Sequence, residues 1–405
     1  MKKIMIMVLA AIATMTASAQ NPDALKQIKG AKTYADANAI IAAQAASMTN
    51  AEKAQAYNKL VDLALSEYTK SQEKAVKAQL AKDEATQTAE TTNMYESVYN
   101  AMQAAQDCNV ADQQPNDKGK VAPKFKEKNA SRLLAPRNEM INAGLACYNS
   151  KDYAKAQKYF GMFVESRQSD LFNGTDFSKE VNYGQVSYYA GLAAYFNKDY
   201  KKVDEYAGIA VKSGDKEIAN DVITLKMGAL EGQVQNHQMD TAQYINKVKE
   251  LFEVAPENEA VFGKLVGLYD ESGDKANADA ILNARLQQNP NDAMALAYKG
   301  QNAQSASKWD EAIEAYSKAI QSKPDFLAAK TNLAVCYLNK STELYDSSAD
   351  ARGNVKPEIK AQVIEGLNKS KSLLDELAAA DPDQLQVKWK YQVDRVNYAL
   401  EIVNK

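Results

Sequence analysis

Histidine is almost absent from this chain of 405 residues, and His237 is the one that it contains. A zinc site built on a histidine pair, or a triad in which histidine activates a nucleophile, needs further partners that cannot be identified beside it. A phosphate-binding loop and a dinucleotide glycine fingerprint are missing as well. We therefore interpret His237 as a turn residue. The sequence predicts no catalytic residue, no metal ligand and no cofactor, and thus a protein that is not an enzyme.

Long apolar runs are also missing, apart from one at the very start. Lys2 and Lys3 precede an almost wholly apolar stretch from Ile4 to Ala13, and Ala17-Ser18-Ala19 has the small-x-small pattern of a cleavage site. These features are typical of a secretory signal peptide, here over residues 1–19. A membrane anchor would need about 20 apolar residues. We expect an exported protein with no transmembrane segment after signal cleavage.

Cysteine is too scarce to indicate a disulfide framework. An exported protein held by disulfides usually carries a denser and even set, whereas this chain has Cys108, Cys147 and Cys336. Cys147 and Cys336 fall on apolar helical stripes, which predicts small buried side chains. Cys108 lies near a predicted loop, where a free thiol stays an open alternative.

Glycine and proline are scarce for a chain of this length, with 17 and 9 residues. Their low number favours long helices and few tight turns. The formal net charge of −3 gives the chain no general attraction for nucleic acid. The lysine-rich stretch 112–131 contains a single aromatic residue, Phe125, so we interpret it as a solvated linker. We predict no nucleic-acid partner.

Three of the nine prolines are regularly spaced. Pro256, Pro290 and Pro324 stand 34 residues apart. Between the last two, large and small residues alternate in the order Leu296, Gly300, Trp309, Ala312, Tyr316 and Ala319. This pattern resembles the tetratricopeptide repeat (TPR), a helix–turn–helix unit of the same length. Small residues let two helices approach closely, and each proline marks the end of a second helix. Asn291 and Asp325, which follow two of the prolines, are expected to cap the next helices.

Similar units recur upstream, around Gly144 and Tyr148 and again around Gly191 and Tyr195. The resemblance implies an all-α fold, an α-solenoid of about six TPR helix pairs. We predict an N-terminal helical region over 20–111 and the linker over 112–131. The TPR array follows over 132–382, with inserts near 167–180 and 341–357, and a C-terminal capping helix covers 383–405. The layout is also similar to exported TPR proteins of Bacteroidetes-type bacteria. That likeness implies a periplasmic or outer-membrane-associated protein.

TPR proteins hold a peptide or a helix against the first helices of successive units. The corresponding groove residues of this chain are Ile141, Leu145, Tyr148, Tyr188, Leu192, Tyr195, Gln301 and Gln304. Packing between repeats is an equally weighted alternative for Ile141, Leu145, Tyr148, Tyr188 and Tyr195. The resemblance implies a protein-binding scaffold of the bacterial cell envelope. A carbohydrate-binding module is the alternative, because the chain has 22 tyrosines and stacked aromatic rings on an exposed face would bind glycans.

Overall fold

All regular structure in the described residues is helical. The computed structural model describes residues 22–116, 118–350 and 353–404, and the signal peptide predicted over 1–19 lies outside them. These residues form eighteen α-helices and three short 3-10 turns, and no β-strand occurs among them. The all-α solenoid prediction is confirmed. The chain divides into two compact units, one ending at Asp240 and one comprising Thr241–Lys405.

A long helical hairpin dominates the start of the first unit. The helices of this region are α1 (Pro22–Gly30), α2 (Tyr34–Gln44), α3 (Asn50–Ala81) and α4 (Glu84–Asp112). Thr49 and Glu52 form a reciprocal capping box at the start of α3. Lys82 turns the chain with a positive φ of 58°, and Lys74 of α3 pairs with Glu90 of α4 at 3.2 Å. Towards this turn the hairpin is largely solvated, and Leu80 is 81% exposed.

The linker predicted over 112–131 is shorter in the structure. Helix α4 continues to Asp112, and α5 (Lys126–Leu133) begins before the predicted linker ends. The Asp112 carboxylate accepts hydrogen bonds from the backbone N–H groups of Lys124 and, at 2.8 Å, Phe125. A carboxylate at a helix start satisfies donors that have no partner within the helix. This contact arises between distant parts of the chain, so local composition did not predict it.

Two helix pairs and one further helix complete the first unit. They are α6 (Glu139–Asn149) with α7 (Tyr153–Arg167), α8 (Tyr183–Phe196) with α9 (Tyr200–Lys212), and α10 (Ala219–Gln235). Asp152 and Asp199 cap the second helix of each pair by accepting from the backbone N–H three residues later. Within the first pair the helices approach closely, because a Cβ atom at Gly144 would lie 2.4 Å from the Phe160 ring. The insert predicted near 167–180 separates α7 from α8.

We expect Gly144→Ala to destabilise the first unit by about 1–3 kcal/mol, because the added methyl group overlaps the buried Phe160 ring. Gly208→Ala in α9 is the matched control, since a Cβ there would meet nothing within 4 Å. The control should be neutral or stabilise the protein by up to about 1 kcal/mol, as expected for alanine in a helix. Urea unfolding followed by circular dichroism measures both changes. Equal effects of the two substitutions would contradict this account of the helix pair.

The second unit continues the helix pairs. Its elements are α11 (Thr241–Val254), α12 (Glu259–Glu271), α13 (Lys275–Gln288), α14 (Ala293–Ser305), α15 (Trp309–Ser322), α16 (Leu327–Ser348), α17 (Pro357–Ala380) and α18 (Lys390–Asn404). Pro256, Pro290 and Pro324 each lie between one helix and the next, as their spacing predicted. Gly300 lies against Tyr316, whose ring would be 2.9 Å from an added Cβ and is fully buried.

Two details of the second unit differ from the sequence-based expectation. Asp292, and not Asn291, caps α14 by accepting from Ala295 N at 2.8 Å. Asp325 is not the cap of α16, because the chain enters that helix at Phe326 without a side-chain cap. The choice between neighbouring polar residues depends on where the loop turns, which the spacing of the prolines does not define.

The insert predicted over 341–357 is partly helical. Helix α16 extends through it to Ser348, and α17 starts at Pro357. Leu344 and Tyr345 carry the apolar face of α16 onward and pack against the cluster that α16, α17 and α18 share. In the region predicted as a capping helix, α18 packs against α17 with Val396 and Val403. Ser347 and Ser348 are exposed on the added turns of α16, whereas Ser341 is buried against α17.

Candidate functional site

A groove lies between helices α8 and α10 of the first unit. It has a volume of about 260 Å³. We call it the tyrosine groove and define it by Tyr188, Leu192, Tyr195 and Phe196 of α8 and Asp221, Thr224, Leu225 and Gly228 of α10. Gly228 leaves room for the neighbouring ring, because a Cβ there would lie 3.3 Å from Tyr195. Three of the residues predicted from the sequence, Tyr188, Leu192 and Tyr195, come together here.

An aromatic cluster forms the side of the groove towards α6. Tyr148 of α6 makes edge-type contacts with Tyr153, Tyr189 and Phe196, with ring centroids 5.6–6.1 Å apart. Phe196 also stacks on Tyr153 at 4.7 Å and meets Tyr195 at 5.5 Å. Such ring pairs stabilise one another beyond the area that they bury. The cluster therefore holds its rings in defined positions while Phe196 stays 46% exposed.

The two remaining apolar residues of the predicted groove lie on α6. Ile141 lines a cavity of about 480 Å³ between the start of α6 and the insert that precedes α8. Leu145 is half-buried against the core of the first unit. All six apolar residues of the prediction are half-buried, and one side of each packs on that core. Tyr188, Leu192 and Tyr195 also line the tyrosine groove, and Ile141 lines the other cavity.

The electrostatic character of the tyrosine groove comes from α10. Asp221 is exposed and is the one charged side chain among the described residues that line it. Burial, followed by the charge of Asp221, raises the pKa of Tyr188 above its usual value. Tyr188 therefore keeps a neutral hydroxyl over the physiological pH range. The groove combines apolar walls with a single negative charge at its edge.

Gln301 and Gln304 lie in the second unit, on α14, whereas the other predicted groove residues lie in the first. Gln301 is exposed. The Gln304 side-chain oxygen accepts a hydrogen bond from the buried Tyr316 hydroxyl at 2.8 Å. This bond satisfies a buried polar group, so the Gln304 amide supports its own helix pair.

The sequence did not predict two of the aromatic residues that lie beside the groove. Tyr189 and Phe196 lie one residue from Tyr188 and Tyr195 on α8, and the groove positions of the repeat pattern do not include them. Their rings reach the groove side because Tyr148 and Tyr153 of the preceding pair meet them. An aromatic residue at both i and i+1 of α8 was the available signal.

None of the three cysteines is an exposed loop thiol. Cys108 is fully buried within α4, and its thiol donates to the Ala54 carbonyl at 3.2 Å. Burial raises the pKa of Cys108 to about 12 and that of Cys336 likewise to about 12. Cys108 lies shortly before the end of α4 at Asp112, and its free thiol is buried in the helix packing. Cys147 is half-buried, and all three are free of disulfides.

The described residues offer neither a group of metal ligands nor a helix that could span a membrane. Within residues 22–116, 118–350 and 353–404, no group of three or more His, Cys, Asp or Glu side chains is placed to hold a metal ion. None of the helices in the same described residues combines the length and the apolar character needed to cross a membrane. His237 follows α10 with a positive φ of 55°, in a turn.

Comparisons with known proteins found similar sequences and similar structures. No protein-family model matches the chain. The chain is 31% identical over 103 residues to the peroxisomal targeting signal receptor of Candida glabrata. The matched residues make up 25% of this chain and only 17% of that receptor's length. A TPR repeats protein from Bacteroides fragilis is similar over 65% of this chain and 98% of its own, with 19% identity and a TM-score of 0.29. YrrB, a TPR protein with an unusual peptide-binding site, is similar over 51% of this chain and 96% of its own, with 16% identity and a TM-score of 0.30. Because both TM-scores lie below 0.5, we draw nothing further from these two structures.

Proposed function

We infer that this tetratricopeptide-repeat protein works by binding a peptide segment or a helix of another protein in the tyrosine groove. The observation that supports this proposal is the half-exposed row of Tyr188, Leu192, Tyr195 and Phe196. A surface of this kind is apolar and still accessible to solvent. Aromatic residues are enriched where proteins bind one another. We propose binding, and not catalysis, as the activity of the chain.

The groove favours a particular type of ligand. Its walls suit an apolar or aromatic side chain, and the exposed Asp221 carboxylate suits a lysine or arginine of the same segment. An acidic segment would be repelled, because the described lining offers no positive charge. The ligand class is therefore a protein segment in which a large apolar residue stands close to a basic one.

Rigid packing helps such a groove to bind. Tyr148, Tyr153 and Phe196 hold one another in place before a ligand arrives. Binding to a preformed surface loses less side-chain entropy than binding to a mobile one. The name of the curated relative, a targeting signal receptor, is consistent with a peptide-type ligand.

We propose the cell envelope as the place of action, with export directed by the signal peptide at residues 1–19. Expression of the full chain in its host, followed by intact mass measurement, tests this proposal. A mature chain that begins at Gln20 supports it. A cytoplasmic protein of full length would contradict export without affecting the groove.

We expect Tyr188→Asp to weaken ligand binding at least tenfold, because a second negative charge enters the apolar wall beside Asp221. Tenfold corresponds to about 1.4 kcal/mol. Dodecamer peptides selected by phage display on the native protein provide the probes, and fluorescence anisotropy measures their affinity. The selected peptides should combine an apolar or aromatic residue with lysine or arginine.

Tyr391→Asp provides the matched control, since Tyr391 is 68% exposed in the second unit. It should bind the selected peptides like the native protein. Circular dichroism of Tyr188→Asp should be unchanged. Equal affinity of the native protein and Tyr188→Asp for every selected peptide would exclude the tyrosine groove as the site.

Glycan binding is the second candidate, and Phe196 is the observation that favours it. Its ring is partly exposed and stacks on Tyr153, as a platform for a sugar ring would. The other rings of the cluster meet one another by their edges and faces and are half-buried, which favours the peptide proposal. Titration with chitohexaose separates the two, because sugar binding that is lost in Phe196→Ala would support the glycan alternative.

A further inference from the structure

A second cavity lies in the second unit, where α16, α17 and α18 meet. Its volume is about 260 Å³. Six aliphatic residues line it, namely Leu338, Val363, Leu367, Ala399, Ile402 and Val403, together with Thr342, Tyr345, Tyr398 and two charged residues. A cavity of roughly 150 Å³ lined by such residues is enough to hold a benzene ring. The space is therefore sufficient for a short aliphatic chain or an aromatic ring.

One guanidinium group reaches this cavity. Arg395 of α18 lines it and is half-buried. Two amide oxygens position the group, since Arg395 donates to Gln392 Oε1 at 2.9 Å and to Asn339 Oδ1 at 3.0 Å. Both acceptors are neutral, so they orient the guanidinium without compensating its charge. Its remaining N–H donors can reach a further acceptor.

Arg395 differs in this respect from the other arginines that the structure describes. Arg132, Arg137, Arg167 and Arg285 each form an ion pair with an aspartate or a glutamate. In the same described residues Arg395 has no carboxylate within ion-pair distance. A partly buried cation is ordinarily paired, so this one is available to an anion from outside the chain.

The other charges around the cavity limit what that anion can be. Helix α17 contributes only apolar side chains to the lining, and α16 contributes the exposed Asp346. A lining with one guanidinium and one carboxylate suits a ligand with one negative charge better than a phosphate with two. The aliphatic walls require that the rest of the ligand is apolar.

We propose that this cavity binds an amphipathic monocarboxylate, with its carboxylate on Arg395 and its apolar body between α16, α17 and α18. Two sources share this chemistry. One is a free aliphatic or aromatic acid of small size, and the other is the C-terminal residue of a peptide that ends in an apolar side chain. The site is separate from the tyrosine groove and does not depend on it.

Isothermal titration calorimetry with the full chain tests the proposal. Octanoate represents the free acid, and octanol has the same apolar body without the charge. A tripeptide that ends in leucine, with either a free carboxylate or an amidated end, represents the peptide source. We expect octanoate or the free-carboxylate peptide to bind, and the neutral analogue of the ligand that binds to be at least tenfold weaker.

Two variants connect binding to Arg395. Arg395→Gln should weaken the carboxylate ligand at least tenfold and leave octanol binding unchanged. Lys390→Gln removes the same charge from the exposed start of α18, outside the cavity lining, and should bind like the native protein. An unchanged octanol affinity also reports that the cavity walls of Arg395→Gln are intact.

The outcomes decide between the sources and the proposal itself. Octanoate binding without peptide binding indicates a small acid, and the reverse indicates a protein C-terminus. Equal affinity of the native protein and Arg395→Gln for the carboxylate ligand overturns the proposal. Absence of binding by both carboxylate probes at millimolar concentration overturns it as well.

Discussion

Arg137→Met is expected to destabilise the first unit by about 3 kcal/mol. Arg137 is 1% exposed, and it donates to Ser166 Oγ and to the Phe163 carbonyl, both at 2.7 Å, as well as to Glu180. Its guanidinium also lies 3.8 Å from the centre of the Phe163 ring. Removing one partner of a buried ion pair costs about 3–5 kcal/mol. We expect the lower end of this range, because Glu180 keeps its contact with Arg167 at 3.1 Å.

The same substitution should loosen the insert between α7 and α8. Glu180 belongs to that insert, and Phe177 of the insert packs 5.1 Å from the Arg137 guanidinium. Hydrogen exchange of peptides from 168–182 should therefore become faster, while urea unfolding measures the loss of stability. The insert lines the cavity beside Ile141, so its order also affects that end of the α6 surface.

Arg167→Gln is the control for Arg137. It removes a cation from the same glutamate, but Arg167 is only partly buried and its pair with Glu180 is more accessible. Partly exposed ion pairs contribute about 1 kcal/mol or less. If Arg167→Gln proved as damaging as Arg137→Met, the buried hydrogen bonds of Arg137 would not be the source of the stability.

The repeat itself was predictable because its signals are local. The pair Gly300 and Tyr316 lies within one helix–turn–helix unit, and each of the three prolines lies between two consecutive helices, as their spacing predicted. A small residue facing a large one is required wherever two helices pack closely. Such a requirement returns with every unit and is therefore visible as a period in the sequence.

Contacts between distant parts of the chain were not predictable in this way. Asp112 ends one helix and accepts hydrogen bonds from the backbone just before another, and Phe196 enters the groove side because Tyr153 of the preceding pair stacks on it. Asp221, which sets the charge of the groove, comes from α10, whereas the tyrosines of the groove lie on α8. Each depends on how one helix pair is placed on the next. No pattern of spacing within a single unit specifies that placement.

Buried arginines are the strongest case of this kind, because arginine on a helix is ordinarily exposed. Arg285 of α13 is 8% exposed and donates to Asp292 Oδ2 at 2.8 Å and to the Pro256 carbonyl at 3.2 Å. It also lies 4.2 Å from the centre of the Phe262 ring. Arg285 thus connects the loop before α12, α12 itself and the residue that caps α14.

We expect Arg285→Met to destabilise the second unit by about 3–5 kcal/mol, because Asp292 would be left buried without its cation. Both tryptophans of the chain, Trp309 and Trp389, lie in this unit. Their fluorescence therefore follows its unfolding in urea. Lys323→Gln is the control, since the exposed pair of Lys323 with Glu259 at 3.1 Å should contribute about 1 kcal/mol or less.

The double variant Arg285→Met with Asp292→Asn separates charge from capping. Asparagine is as good an N-cap as aspartate, so α14 keeps an acceptor for Ala295 N while the stranded charge disappears. We expect the double variant to recover part of the stability lost in Arg285→Met. If it is less stable than Arg285→Met, the loss would come from the contacts with Pro256 and Phe262, and the ion pair would not be what stabilises this junction.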